Sequence, residues 1–215
     1  MKSSFLLAAV SVAAILAPSA HASIRITEAM SSSSSATPDW IEVTNYGASS
    51  ISLAGWRMDD GSFNFAVSVA LSGITTIGAG ESVVFIESAA GAGIASFRTL
   101  WGGLSGVQVG FYSGSGVGLS SGGDGVGLFN ASNALVTQVN FGAATSGSSF
   151  FWGYDLAGNT DPSYNGLVST VGTIGTQVTT ASANDVGSIG SAIGVPAPGA
   201  LALFGLAGIV GRRRR

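Results

Sequence analysis

Ile24-Arg25-Ile26-Thr27-Glu28-Ala29-Met30 and, after a serine-rich loop, Asp39-Trp40-Ile41-Glu42-Val43-Thr44-Asn45 decide the fold. Ile24 and Ile26 alternate with Arg25 and Thr27, and Ile41 and Val43 alternate with Glu42 and Thr44. Period-two alternation puts one set of side chains on each face of a strand. The same reading extends along the chain. Phe63, Phe65, Val67, Val69 and Leu71 alternate with Asn64, Ala66, Ser68 and Ala70, which predicts one long strand. Ser82 to Glu87, Val107 to Tyr112, Val126 to Asn130 and Leu135 to Phe141 are further strand candidates. Asp59-Asp60-Gly61 and Ala131-Ser132-Asn133 supply turn residues between them. Ile94 to Trp101 breaks the pattern and suits one short helix or an irregular cap.

Many short strands with frequent turns favour an all-β sandwich or barrel. Gly114 to Gly127 and Ala143 to Ser149 are rich in glycine and serine and read as flexible loops. Val186 to Gly194 reads as a linker.

Both ends of the chain carry addresses. Lys2 precedes an apolar run of twelve residues, Phe5 to Leu16, then Pro18 and Ala20-His21-Ala22. This order predicts a signal peptide over 1–22, cut after Ala22 so that the mature chain begins at Ser23. At the other end, Val195-Pro196-Ala197-Pro198 leads into Gly199 to Gly211, thirteen residues without charge, and then Arg212, Arg213, Arg214 and Arg215. Thirteen residues of helix span roughly 20 Å, short of a bilayer core of ~30 Å. A span that short is a marginal anchor, suited to a transient signal.

Without those ends, Arg25, Arg57 and Arg98 face eleven acids, a formal net charge of −8. No basic stripe remains for a nucleic-acid backbone. The chain has no cysteine, its one histidine is His21, and its one lysine is Lys2. The expected mature protein therefore offers no Ser-His-Asp or Cys-His constellation, no Schiff-base lysine, and no His or thiolate ligands for zinc or copper. Carboxylate chemistry and calcium are left. No cofactor is expected, with calcium the one ion the composition keeps open.

Two resemblances follow from these residues. Ile24-x-Ile26-x-Glu28, Asp39-Trp40-Ile41-Glu42-Val43-x-Asn45, Leu53-Ala54-Gly55-Trp56, Gly80-Glu81-Ser82 and Gly122-Gly123-Asp124-Gly125 together resemble the lamin tail domain, over about Ile24 to Gly142. Asn184-Asp185-Val186-Gly187-Ser188 is similar to the end of bacterial versions. The resemblance implies an immunoglobulin-like β-sandwich that acts as a binding or structural module and not as an enzyme. The tail resembles the PEP-CTERM sorting signal, with Ala197 where that motif usually has Glu. It implies a passing membrane anchor and processing by an exosortase after signal peptidase has acted. The expected division is 1–22 signal peptide, 23–185 sandwich (well matched over 24–142), 186–194 linker and 195–215 sorting signal.

On these grounds the expectation is an exported structural or adhesive protein of the cell envelope, cell surface or extracellular matrix, in contact with polysaccharide or surface proteins. The alternatives are a carbohydrate-binding module for matrix polysaccharide and a carboxylate-dependent hydrolase. Asp39, Glu42 and Asn45 could form an oxygen-rich patch; strand-end capping by Asp39 and Asn45, with Glu42 in solvent, accounts for the same residues. Asp59, Asp60 and Asp124 are candidates for calcium, and equally for turns beside glycine. Trp56 matches the family's core tryptophan. Trp152 and Tyr154, outside the best-matched region, are the candidates for a ligand surface, with core packing as the competing reading.

Overall fold

The structure is a computed structural model that describes residues 24–34, 37–155, 158–179 and 184–195. The expected signal peptide with its cleavage site (Ala20, Ala22, Ser23) and the expected sorting signal beyond Val195 lie outside the described residues.

The two opening stretches form β1 (Ile24–Met30) and β2 (Trp40–Asn45), paired antiparallel, with Ile26 opposite Val43 and Met30 opposite Trp40. A bulge between Ile26 and Glu28 places both Thr27 and Glu28 beside Glu42. Such an extra residue re-aims the side chains that follow it. Two short strands, β3 (Ile51–Ser52) and β4 (Arg57–Asp59), flank the Leu53-Ala54-Gly55-Trp56 turn. The turn closes through Trp56 N–H donating to the Leu53 carbonyl at 3.0 Å. Gly55 sits there at φ +76°, a conformation that disfavours any residue with a Cβ.

The predicted strand over Phe63 to Leu71 does not form. Asp59 instead caps a turn, its Oδ2 accepting from Ser62 Oγ at 2.6 Å and Asn64 N–H at 2.7 Å. Only Val69–Ala70 pairs, as β5. Next come β6 (Thr76–Ile77) and β7 (Ser82–Glu87), then a 3-10 turn at Ala89–Gly91 and a helix, α1 (Ile94–Leu100). The helix carries the chain across to β8 (Gln108–Tyr112), which joins β7 in parallel. The hairpin partners are β9 (Asp124–Phe129) and β10 (Leu135–Phe141). Four more strands follow: β11 (Phe150–Tyr154), β12 (Thr160–Val168), β13 (Gln177–Val178) and β14 (Val186–Gly187).

Two sheets carry the fold, one of six strands ordered β12-β11-β1-β2-β7-β8 and one of four ordered β10-β9-β4-β5. This is an immunoglobulin-like β-sandwich. Its main core lies between the sheets, built from Ile26, Ile41, Val43, Trp56, Phe85, Val126, Phe150 and Trp152, among others. Val117 reaches this core from the first glycine-serine stretch and is fully buried, so that loop is pinned to the body. The six-stranded sheet is covered on its other face too. There Met30, Trp40, Val84 and Ile86 meet Phe97 and Trp101 of the α1 segment and Ile189. Trp40 packs edge-on against both aromatics. This second core explains why every residue of β2 is buried.

The stretch expected to be a linker is part of the domain. β14 pairs with β13, and Ser188 and Ile189 are buried. The Ile193 carbonyl accepts the Tyr46 hydroxyl at 2.6 Å. Val195 is partly buried against the main core. Gly187 lies so close to the sheet that a Cβ would stand 3.0 Å from Glu28 Oε1 and 3.1 Å from Trp101. The small residues that resemble a linker are there because backbone lies flat on side chains.

Candidate functional site

Glu28 and Glu42 stand opposite each other in the β1–β2 ladder, on the face covered by α1 and 188–190. Both are 0% exposed, so the expectation of a solvent-facing Glu42 is overturned. Alternation does point Glu42 away from the main core, but a second layer lies over it. Each carboxylate holds down the covering backbone. Glu28 Oε1 accepts from Ser188 N–H at 2.6 Å and from the Ser149 hydroxyl, which is itself 2.7 Å from Ser169 Oγ. Glu42 Oε2 accepts from Gly190 N–H, and its Oε1 accepts from Thr27 Oγ1 at 2.6 Å. Glu28 Oε2 is buried and has no partner.

Burial disfavours the ionised form of both acids. It raises Glu42 to about 7, against the pull of Thr27 and Gly190. Glu28 is pushed well above the usual carboxylate range by burial first and by the charge of Glu42 second. Asp39 rises to about 7 through burial and then through Glu87. Asp39, Glu42 and Asn45 do not converge on one oxygen-rich patch. Asn45 belongs to a turn, its Nδ2 donating to the carbonyls of Ser49 and Gly78, both at 2.8 Å, and its Oδ1 accepting from Gly47 N–H at 2.9 Å.

Among the described residues no group of three or more acids is arranged to hold a metal ion. The candidate aspartates bind the protein's own turns. Asp60 Oδ1 accepts from Ser62 N–H at 3.3 Å. Asp124 Oδ1 accepts from Gly61 N–H at 2.9 Å, and its Oδ2 accepts from Ser120 N–H at 2.6 Å. Asp185, on the returning C-terminal segment, likewise ties down the serine-rich loop through Ser33 and Ser34.

Trp152 and Tyr154 are 1% and 5% exposed and offer no open stacking platform, which corrects their reading as a ligand surface. Trp152 packs with Phe141 and Phe150, and Tyr154 packs edge-on to Tyr46. The Tyr154 hydroxyl donates to the Ile26 carbonyl at 2.9 Å. Burial pushes the phenols of Tyr46 and Tyr154 up.

Their rims do reach a cleft of about 480 Å³ between β10, β11 and β12. Arg25, Thr137, Gln138, Asn140, Thr160 and Asn165 supply its polar lining. Its volume lies within the roughly 300–1,000 Å³ of small-ligand sites. No carboxylate lines this cleft or three others among the described residues. Sequence reading missed the cleft because its residues come from separate strands. The one signal was that Arg25 is among the three cations of the body.

Among the described residues no helix is long and apolar enough to cross a membrane. A family model for the Lamin Tail Domain matches residues 17–143. The chain belongs to the lamin tail domain family. None of the curated proteins matches it in sequence. β11, β12 and the docked C-terminal segment lie beyond the matched residues, yet β11 pairs directly with β1 inside the six-stranded sheet.

Proposed function

We propose that this lamin tail domain protein is an exported structural or adhesive component of the cell surface or extracellular matrix. In this reading signal peptidase releases it at Ala22–Ser23. An exosortase then acts at Val195-Pro196-Ala197-Pro198, after the hydrophobic segment and Arg212 to Arg215 have held the chain briefly at the membrane. The observation that carries the non-catalytic part is the use made of the acids. Glu28, Glu42, Asp59, Asp124 and Asp185 all hold the protein's own backbone or hydroxyls. They are construction, not a reactive centre. The sorting motif begins at Val195, a residue still packed on the domain, so processing would occur close to a rigid body.

Fractionation of cells expressing the intact chain, with mass spectrometry of the C-terminus, tests this. A surface or matrix product ending near the Pro196–Pro198 motif is expected. A cytoplasmic product that retains Arg215 refutes it. The polar cleft favours a second reading, a module that holds matrix polysaccharide, which is compatible with an adhesive role.

A further inference from the structure

We infer that the cleft between β10 and β12 takes an acidic sugar, a uronate residue of a polysaccharide, with Arg25 meeting the carboxylate and Gln138, Asn140 and Asn165 meeting ring hydroxyls. The inference rests on the polysaccharide-binding reading and names the chemistry of the ligand.

Arg25 is the only charged residue in the lining. Its Nε and Nη2 donate to the Gly158 carbonyl at 3.2 and 3.1 Å, and its Nη1 donates to the Ile24 carbonyl at 2.9 Å. It also lies over the Tyr154 ring, 5.7 Å from the centroid. A guanidinium carries five N–H donors and keeps its charge. Two donors and the full positive charge therefore remain for a ligand, on a group whose position is already fixed. The acids on either side of the Gly158 loop make local bonds. Asp155 accepts from Asn159 N–H and Nδ2, both at 2.9 Å, and Asp161 accepts from Ser163 N–H at 2.9 Å.

The three amides of the cleft keep their side-chain donors and acceptors unused, whereas several other amides of this protein do not. Asn64, Gln108, Asn130 and Gln177 each hydrogen-bond within the chain. Gln138, Asn140 and Asn165 line the cleft, are exposed, and have no side-chain partner among the described residues. An amide offers a donor and an acceptor side by side. Adjacent sugar hydroxyls, each both donor and acceptor, are its natural complement. An apolar ligand would strand these groups, since buried polar atoms need partners. A neutral sugar would leave the Arg25 charge uncompensated, whereas a carboxylate matches its planar fork.

The test is calorimetric titration of the full chain, held in mild detergent, with a glucuronate oligomer and with its carboxyl-reduced neutral counterpart. The acidic oligomer should bind at least about tenfold more tightly, and more weakly as salt rises. Arg25→Gln should remove about tenfold of that preference without weakening the neutral oligomer. Arg25 also secures the Gly158 loop, so Gln138→Ala/Asn165→Ala, at exposed positions, gives an independent reading and should weaken the acidic oligomer about tenfold. Equal affinity for the two oligomers overturns the acidic-sugar inference and leaves the polysaccharide reading standing. Binding unchanged in Gln138→Ala/Asn165→Ala overturns the placement of the site. No binding of either oligomer refutes both readings.

Discussion

Raising the pH from 5 to 8 should destabilise this protein, and Glu28→Gln should blunt the effect. Glu42 moves from the 4.5 of an unperturbed glutamate to about 7 on folding, and Glu28 moves in the same direction. The folded state thus retains protons that the unfolded chain releases. The associated stability is fully present below the unfolded value near 4.5, and is lost as pH rises through the folded value near 7. A tenfold change in proton affinity is worth about 1.4 kcal/mol, so Glu42 alone accounts for about 3 kcal/mol across that window. Asp39 contributes with the same sign, but its partial exposure lets solvent screen it.

In Glu28→Gln the side-chain carbonyl can still accept from Ser188 N–H and Ser149 Oγ, while one of the two titrating groups is gone. Urea denaturation followed by tryptophan fluorescence, at pH 5 and pH 8, reads both states. The wild type should lose a few kcal/mol between them. The variant should lose clearly less, match the wild type within about 1 kcal/mol at pH 5, and equal or exceed it at pH 8. A wild type that gains stability towards pH 8 would refute the reasoning. So would a variant that keeps the full pH dependence and is several kcal/mol weaker at both pH values, because Glu28 would then be ionised in the fold.

Trp152→Ala should cost about 3–5 kcal/mol, the usual loss for a large aromatic removed from a core; a surface stacking residue would show almost none in the same denaturation assay. Ile189→Ala should cost about 2–4 kcal/mol, where an unstructured linker would lose nothing measurable. Asp124→Ala removes the acceptor of the Gly61 and Ser120 N–H groups, which water can replace at these exposed bonds, and should cost about 0.5–1.5 kcal/mol, read as a lowered melting temperature. Millimolar calcium should leave the wild-type melting temperature unchanged, since a ligand raises stability only by binding the folded state.

Much of the sandwich was legible in β1 and β2, because their alternation is carried by β-branched residues and bounded by turn formers. The hairpin of β9 and β10 was legible for the same reason, with Asn130, Ser132 and Asn133 closing it. Phe63 to Leu71 alternates just as well and misled. There Asp59, Asn64 and Ser68 offer side-chain partners to nearby backbone and side-chain groups, and local side-chain bonds compete with a ladder. Ser68 Oγ donates to the Phe65 carbonyl at 2.7 Å, and Asn64 Oδ1 accepts from Ala66 N–H at 3.0 Å. Pattern also gave the correct side of the strand for Glu42 but not its burial. The cover comes from α1 and from residues 188–190, far along the chain, and no local period encodes that. The cleft escaped for a related reason: Arg25, Gln138 and Asn165 meet only after three strands from different parts of the chain are placed.

The two buried glutamates raise a question of economy in a body with so few charges. Backbone that lies across the face of a sheet cannot join the sheet's ladder, yet its N–H groups need acceptors once buried. Ser188 and Gly190 are in that position, and the sheet face can answer only with side chains. A hydroxyl is too short to span the layer beside Trp40 and Ile189. Glutamate reaches, and a carboxyl oxygen can accept from backbone N–H whether or not the group holds a proton. Its cost is desolvation, expressed as the raised affinity for protons. The clamp at Glu28 and Glu42 therefore suits a segment that must stay docked up to Val195. It explains why these two motif acids sit where neither solvent nor substrate can reach them.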